Sequence, residues 1–184
     1  MGKKRRVVWK FVKSYAFLSN FYPTPVEIDG VVYPTVEHYF QSMKATNPKD
    51  REWVLSAPTP GKARQRGRKI KLREDWHQFR NIVMRRGVYE KFTQYPELEK
   101  KLLDTDDMIL VEGNFWKEYY WGCVFEKGTK RGKNNFGVVL MEVRKYLRET
   151  PPEKRSFEDF MRTTAYTIHF DCDELLRSLE EGSK

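Results

Sequence analysis

The spacing of apolar positions changes several times along the chain, and each change marks an expected element. Val7–Val12 is a β-branched, hydrophobic stretch of strand type, and Val26–Tyr33 carries Asp29-Gly30 between two short apolar runs, the signature of a tight hairpin. Pro34-Thr35 then ends the extended pattern and offers a cap to a helix whose apolar stripe is Val36, Tyr39, Phe40 and Met43. Its other face carries Glu37, Gln41 and Lys44. Asp50–Ser56 predicts a short helix stopped by Ala57-Pro58-Thr59-Pro60-Gly61, while the basic stretch Lys62–Lys71, interrupted by Gly67, shows no decisive period. Asp75 stands where it can cap a longer helix to about Phe92, with Trp76, Phe79, Ile82, Val83 and Tyr89 inward, and Pro96 opens a short helix over Glu97–Leu103. Met108–Val111 reads as a strand and Glu112–Asn135 as a loop rich in glycine, aromatic and charged residues. Phe136–Leu147 reads as a core helix on Phe136, Val139, Leu140, Val143 and Leu147.

Thr150-Pro151-Pro152 breaks the pattern. Beyond it, Ser156–Asp159 resembles a capping box, Tyr166–Phe170 alternates like a strand, and Asp171 with Glu174 suits the start of a last helix to Glu181. A segment this short cannot hold a core of its own and is expected to pack on the body of the protein. The elements together predict an α+β, helix-dominated chain with a few short strands. Its expected organisation is a basic N-terminal segment (1–13), one compact domain (14–149) and an acidic C-terminal appendage (150–184).

Charge sharpens that division. The 184 residues carry a formal net charge of +9, and residues 1–149 hold 30 basic and 18 acidic side chains against 5 and 8 in residues 150–184. The densest run is Lys62, Arg64, Arg66, Arg68, Lys69, Lys71 and Arg73; such a field attracts phosphate, on nucleic acid or on a small molecule, and equally describes a solvated face. Lys3–Arg6 reads as a frayed tail or a polybasic arm. With 39% hydrophobic and 15% aromatic residues the chain is too apolar for disorder, and no apolar run approaches membrane-spanning length. The opening MGKKRRVVWKFVKSY is interrupted by Lys10 and Lys13 where a signal peptide would be apolar, so a cytoplasmic location is expected. Cys123 and Cys172 lack any CxxC or histidine-rich setting, which speaks against a disulfide framework and a conventional zinc module and suits a reducing compartment.

The catalytic repertoire is narrow. His38, His77 and His169 lack metal-site spacing, and no nucleophile elbow, P-loop or dinucleotide fingerprint occurs, so neither metal nor cofactor is expected. Glu37 stands in the first turn of its helix among Tyr33, Tyr39, Phe40, Phe17, Phe21 and Tyr22; in a cleft, desolvation would raise its pKa and suit it to acid or base work. Lys44, two turns on, can lean back toward it. From spacing alone, an exposed polar stripe of Glu37, Gln41 and Lys44 is the plainer reading. Glu112 and Tyr119-Tyr120-Trp121-Gly122 add a second carboxylate and flat aromatic surfaces suited to stacking a planar base.

The motifs, taken in order, resemble a known family. Phe17-Leu18-Ser19-Asn20-Phe21, Tyr33-Pro34-Thr35-Val36-Glu37-His38-Tyr39-Phe40-Gln41 with Lys44, Lys62-Ala63, Gly67-Arg68, Asp75-Trp76, Met84, Lys91-Phe92, Leu110-Val111-Glu112, Tyr120-Trp121-Gly122, Gly132-Lys133-Asn134-Asn135-Phe136-Gly137 and the helix through Leu140–Arg144 are similar to the NADAR (YbiA-like) family over about residues 14–148. The resemblance implies a compact YbiA-like domain with N-glycosidase activity, acting on phosphoribosylated pyrimidines of early riboflavin biosynthesis or on ADP-ribosylated guanine. It implies catalytic roles for Glu37 and Lys44, a base and ribose pocket lined by Trp76, Glu112, Trp121 and Gly122, phosphate contacts from Lys62 and Arg68, and polar groups from Asn20 and Asn135. Many relatives carry Asp after the Trp-Gly pair, where this chain has Cys123; either that acid is dispensable here, or Glu118 or Glu126 of the same loop substitutes, or activity is reduced or redirected. The expected partner is thus a phosphorylated nucleoside-like or ADP-ribosylated substrate. Nucleic acid stays open as a partner and a membrane is not expected. A non-catalytic module binding ADP-ribose or nucleic acid is the competing reading.

Overall fold

The computed structural model describes residues 6–126, 129–168, 170 and 172. The protein is α+β and dominated by helices. It divides into two compact units, one of residues 19–98 and the other of the residues up to Leu18 together with those from Glu99 onward.

The first unit begins with an antiparallel hairpin of β2 (Val26–Ile28) and β3 (Val31–Tyr33), numbered after the N-terminal strand β1 (Val7–Val8). Asp29 and Gly30 both adopt positive φ (53° and 76°) at its turn, the conformation the two-residue connection requires. Helices α1 (Val36–Ser42), α2 (Pro48–Leu55), α3 (Pro60–Gly67) and α4 (Trp76–Gln94) follow. Thr35, Asn47 and Thr59 each cap a helix by accepting an amide N–H, and Pro48 and Pro60 occupy first-turn positions where no amide is missed. The basic stretch that resists reading from sequence is therefore largely α3, with only Ala63 and Gly67 buried and its cations toward solvent or the C-terminal end. Asp75 departs from expectation. It sits at the N-cap of α4 without making the capping bond, because its carboxylate is engaged by the Arg73 guanidinium instead.

The second unit is built on α6 (Asn135–Glu149), preceded in sequence by α5 (Pro96–Leu103) and followed by α7 (Phe157–Thr163). The apolar face of α6 buries Phe136, Val139, Leu140, Val143 and Leu147, as its helical period predicts. Strand β1 pairs in parallel with β4 (Ile109–Leu110), and the Arg6 carbonyl accepts the Ile109 amide; the extended stretch is thus shorter than Val7–Val12, and Lys3–Arg5 lie outside the described residues. The stretch Glu112–Asn135 is not simply a loop. It contains β5 (Gly113–Asn114), β6 (Cys123–Glu126) and β7 (Thr129–Arg131), paired parallel and then antiparallel in the order β5-β6-β7. Ser156 caps α7, whose Phe160 packs at 5.5 Å on the ring of Tyr146, and the Tyr146 hydroxyl meets Asp159. The described residues of 166–170 form no strand, and the expected helix from Asp171 lies outside the described residues apart from Cys172.

No disulfide is expected from the cysteine spacing, yet Cys123 and Cys172 are joined. The fold explains why: both lie in one apolar cluster with Val111, flanked by Val7, Trp9, Ile109 and Phe170. A thiol reagent is expected to find no free cysteine in the unfolded, unreduced protein and two after reduction; two before reduction would refute the pairing. No described helix is long and apolar enough to cross a membrane. Among the described residues no group of three or more His, Cys, Asp or Glu could hold a metal ion.

Candidate active site

Every residue of α1 is buried, Glu37 and Gln41 included. This corrects the exposed polar stripe suggested by spacing, and the cause lies in two glycines of neighbouring helices. A Cβ at Gly67 of α3 would stand 2.2 Å from Gln41 Oε1, and one at Gly87 of α4 would stand 2.9 Å from Val36 Cγ1. Without side chains there, both helices close on α1 and cover its polar face as well as its apolar one.

Glu37 is only 3% exposed. Its two carboxyl oxygens accept from different amides: Asn20 Nδ2 donates to Oε2, and Gln41 Nε2, one turn on, donates to Oε1 at 2.7 Å. The backbone closes the same loop, since the Glu37 amide donates to the Asn20 carbonyl at 3.0 Å. Burial pushes the carboxyl up to about 7, against the opposing pull of the Gln41 amide and of the positive charges of Arg64, Lys44 and Arg68. The result is a fixed carboxylic group that exchanges a proton near neutral pH, which is what acid–base work requires.

Lys44 lies just beyond α1, half-buried, with its ammonium 5.5 Å from the Phe40 ring centre and 5.6 Å from that of Trp76. Trp76 is itself buried and meets Phe40 edge-on at 5.0 Å. The Glu37 surroundings thus combine one carboxyl, one ammonium and an aromatic wall. Arg68 contributes positive charge to Glu37 from the end of α3, and Arg64, one turn earlier and not singled out by sequence, contributes more. Lys62 is exposed and donates to Gln65 on its own helix. The structure therefore brings Asn20, Glu37, Lys44, Trp76 and Arg68 together, and Lys62 turns to its own helix.

Glu112, Trp121, Gly122 and Asn135 belong to the other unit, where a compact backbone network fixes them. Asn134, fully buried and left-handed (φ 48°), accepts the Glu112 amide on Oδ1 and donates through Nδ2 to the Leu110 carbonyl. The Glu112 carbonyl accepts the Cys123 amide, and a Cβ at Gly122 would stand 2.2 Å from that same carbonyl oxygen. Only glycine admits that approach. Glu118 accepts the amides of Tyr120 and Trp121 on Oε1, so its carboxylate shapes the turn carrying Trp121. Asn135 donates through Nδ2 to the Tyr120 carbonyl at 2.8 Å, and Trp121 meets the Tyr120 ring edge-on.

Gln41, Arg64 and Asn134 were not predicted site residues, and Glu118, named only as a substitute carboxylate, is engaged by the Tyr120 and Trp121 amides. Gln41 had a usable signal, an amide four residues after a first-turn carboxylate. The long-range role of Asn134 left no local trace. His38 is structural: its Nε2 hydrogen faces the Ala57 carbonyl, its Nδ1 accepts from the Thr35 hydroxyl, and burial lowers its pKa, so the ring is held neutral. His77 is exposed, and His169 lies outside the described residues.

Residues 7–148 match the NADAR domain family. The N-glycosidase YbiA of Escherichia coli strain K12 is 38% identical over 135 residues, covering 72% of this chain and 82% of its own. A riboflavin biosynthesis protein of Vibrio vulnificus is 37% identical over 142 residues, covering 76% of this chain and 38% of its own. The NMR structure of E. coli YbiA superposes with a TM-score of 0.69 at 35% identity, covering 79% of this chain and 87% of that one. With most of its length matched in sequence and in fold, the chain belongs to the NADAR family and is a hydrolase of N-glycosyl bonds.

Proposed function

We propose that this protein hydrolyses the C1′–N bond of a phosphorylated ribosylamine, with an aminopyrimidine of the riboflavin pathway as leaving group. The observation that carries the reading is the buried Glu37 carboxyl, oriented by Asn20 and Gln41 in the field of Lys44, Arg64 and Arg68. The name of the Vibrio relative supports the choice of substrate. In this reading the guanidinium groups of Arg64 and Arg68 hold the phosphate and Trp76 bounds the base.

As the C1′–N bond breaks, its electron pair leaves with the pyrimidine amine and C1′ gains oxocarbenium character, which the Glu37 carboxylate stabilises. Glu37 takes a proton from the attacking water, whose oxygen bonds to C1′, and the departing amine receives a proton in exchange. Ribose 5-phosphate and the free aminopyrimidine result. Lys44 offers a second route, because a glycosylamine in its ring-opened imine form accepts an amine at C1′. The lysine nitrogen, as the free amine, bonds to C1′, and the aminopyrimidine leaves as the C1′–N bond breaks and takes up the two protons the lysine nitrogen gives up. Water then hydrolyses the lysine imine to ribose 5-phosphate and free lysine.

A product assay tests both the reading and the route. Wild-type protein is expected to release ribose 5-phosphate from the phosphoribosylated aminopyrimidine, and borohydride added during turnover is expected to attach the pentose phosphate to Lys44. Lys44→Ala should lose the adduct and at least tenfold in rate. Release only from ADP-ribosylated guanine would move the substrate to that class. Binding without release from either would favour a non-catalytic module, and full activity in Lys44→Ala would remove the imine route.

A further inference from the structure

One of the two residues that hold Glu37, Asn20, sits on a turn that is itself held from α4. Asn20 touches Glu37 twice, through its side-chain amide and its carbonyl, yet it belongs to a short turn with no helix or strand of its own. That turn is tied at Ser19. The Ser19 hydroxyl accepts the Phe21 amide at 3.1 Å, and the Ser19 carbonyl accepts the Tyr22 amide at 3.1 Å and the Lys91 ammonium at 2.8 Å. Lys91 is 2% exposed and lies 5.2 Å from the ring centre of Tyr22 and 5.3 Å from that of Phe92.

A lysine is an expensive way to hold a carbonyl in the interior, since removing an ammonium from water carries a large desolvation penalty. That penalty shows as a pKa pushed down by burial to about 7. An apolar residue could fill the same space on α4, but only a long donor reaches across to the Ser19 oxygen. We infer that Lys91 is a positioning residue for the reaction: by fixing the Ser19 carbonyl it sets the turn from which Asn20 orients the Glu37 carboxyl. It acts through Asn20 and does not touch substrate. The inference rests on the reading of Glu37 as the catalytic carboxyl.

The test is a double-mutant cycle on ribose 5-phosphate release from the phosphoribosylated aminopyrimidine. Lys91→Met keeps the apolar stem and removes the donor. It is expected to lower kcat by about 10- to 100-fold, the cost of a carboxyl displaced by roughly 1 Å, with KM within about twofold of wild type. Asn20→Ala should lose a similar factor, and Lys91→Met combined with Asn20→Ala should be no slower than the slower single variant. Losses that multiply, or a Lys91→Met enzyme with wild-type kcat, would overturn the inference. A generally loosened fold would raise KM and multiply with Asn20→Ala, so a merely structural lysine gives a different pattern. If Lys91→Met is not recovered folded, Lys91→Gln, whose amide is too short to reach Ser19, runs the same cycle with the same criteria. Glu37→Gln is assayed alongside. Its retention of activity would refute the catalytic reading itself, a result separate from additivity between Lys91 and Asn20.

Discussion

Glu37→Gln is expected to lower turnover by about 10³-fold, within the range that general acid–base groups contribute, while the variant unfolds at a higher temperature than wild type. Both effects come from the same burial. In the wild type the native carboxyl has a pKa raised from 4.5 to about 7, so the folded state binds its proton more tightly than the unfolded state does. The associated stability is full below about pH 4.5 and is lost as pH rises to about 7; above that, carrying a buried carboxylate costs on the order of 3 kcal/mol. Glutamine does not titrate, so the variant should lack that slope. Thermal unfolding at pH 8 should show a gain of several degrees that vanishes near pH 4, a chain of this size moving roughly 2–4 °C per kcal/mol.

Activity carries the complementary sign. Asn20 and Gln41 each present an N–H to the carboxyl, so their hydrogen bonds complement the ionised form. As a base and cation stabiliser, Glu37 should make kcat/KM rise through about pH 7 to a plateau. A Glu37→Gln enzyme within tenfold of wild-type turnover would sink the assignment, whatever its stability.

Gly137→Ala is expected to destabilise the fold by about 3 kcal/mol, enough to lower the unfolding temperature by roughly 10 °C. Helix propensity alone predicts the reverse, since alanine inside a helix is favoured over glycine by about 1 kcal/mol. The contact decides the sign. A Cβ at Gly137 would stand 2.1 Å from the Leu110 carbonyl oxygen and 2.5 Å from Asn134 Nδ2, so α6 would have to withdraw from β4 and break the Asn134 clamp on Leu110 and Glu112. The first is a backbone atom, and the second, though it ends a side chain, is held in place by its bond to the Leu110 carbonyl. Denaturant unfolding measures the loss, and an alanine variant as stable as wild type would show that α6 can withdraw at little cost.

Periodicity served well where an element has one buried face. The 15-residue α6, the hairpin and the capped starts of α1 and α7 follow from residues within a few positions of one another. It failed on α1's polar side because the close approach there is decided by Gly67, far along the chain, which lets α3 come up against Gln41. Strands β5 to β7 span two to four residues each, too short for alternation to register, and three of their nine positions are Lys, Arg or Glu. Motif resemblance marked Glu37 and Asn20 as a set, but only the fold reveals that they hydrogen-bond. Arg64 was one cation in a dense basic run; its proximity to Glu37 depends on how α3 is rotated, which a helix with almost no apolar residues does not encode locally.

The bond between Cys123 and Cys172 makes everything from β6 through α7 part of a closed covalent ring. Residues 151–154 are exposed within it and are a natural place for a protease to cut. A single cut there divides the backbone but not the molecule. The two fragments would migrate together until reduced, and the carrier of Glu37 would stay tethered to the chain's C-terminal residues through sulfur rather than through peptide bonds.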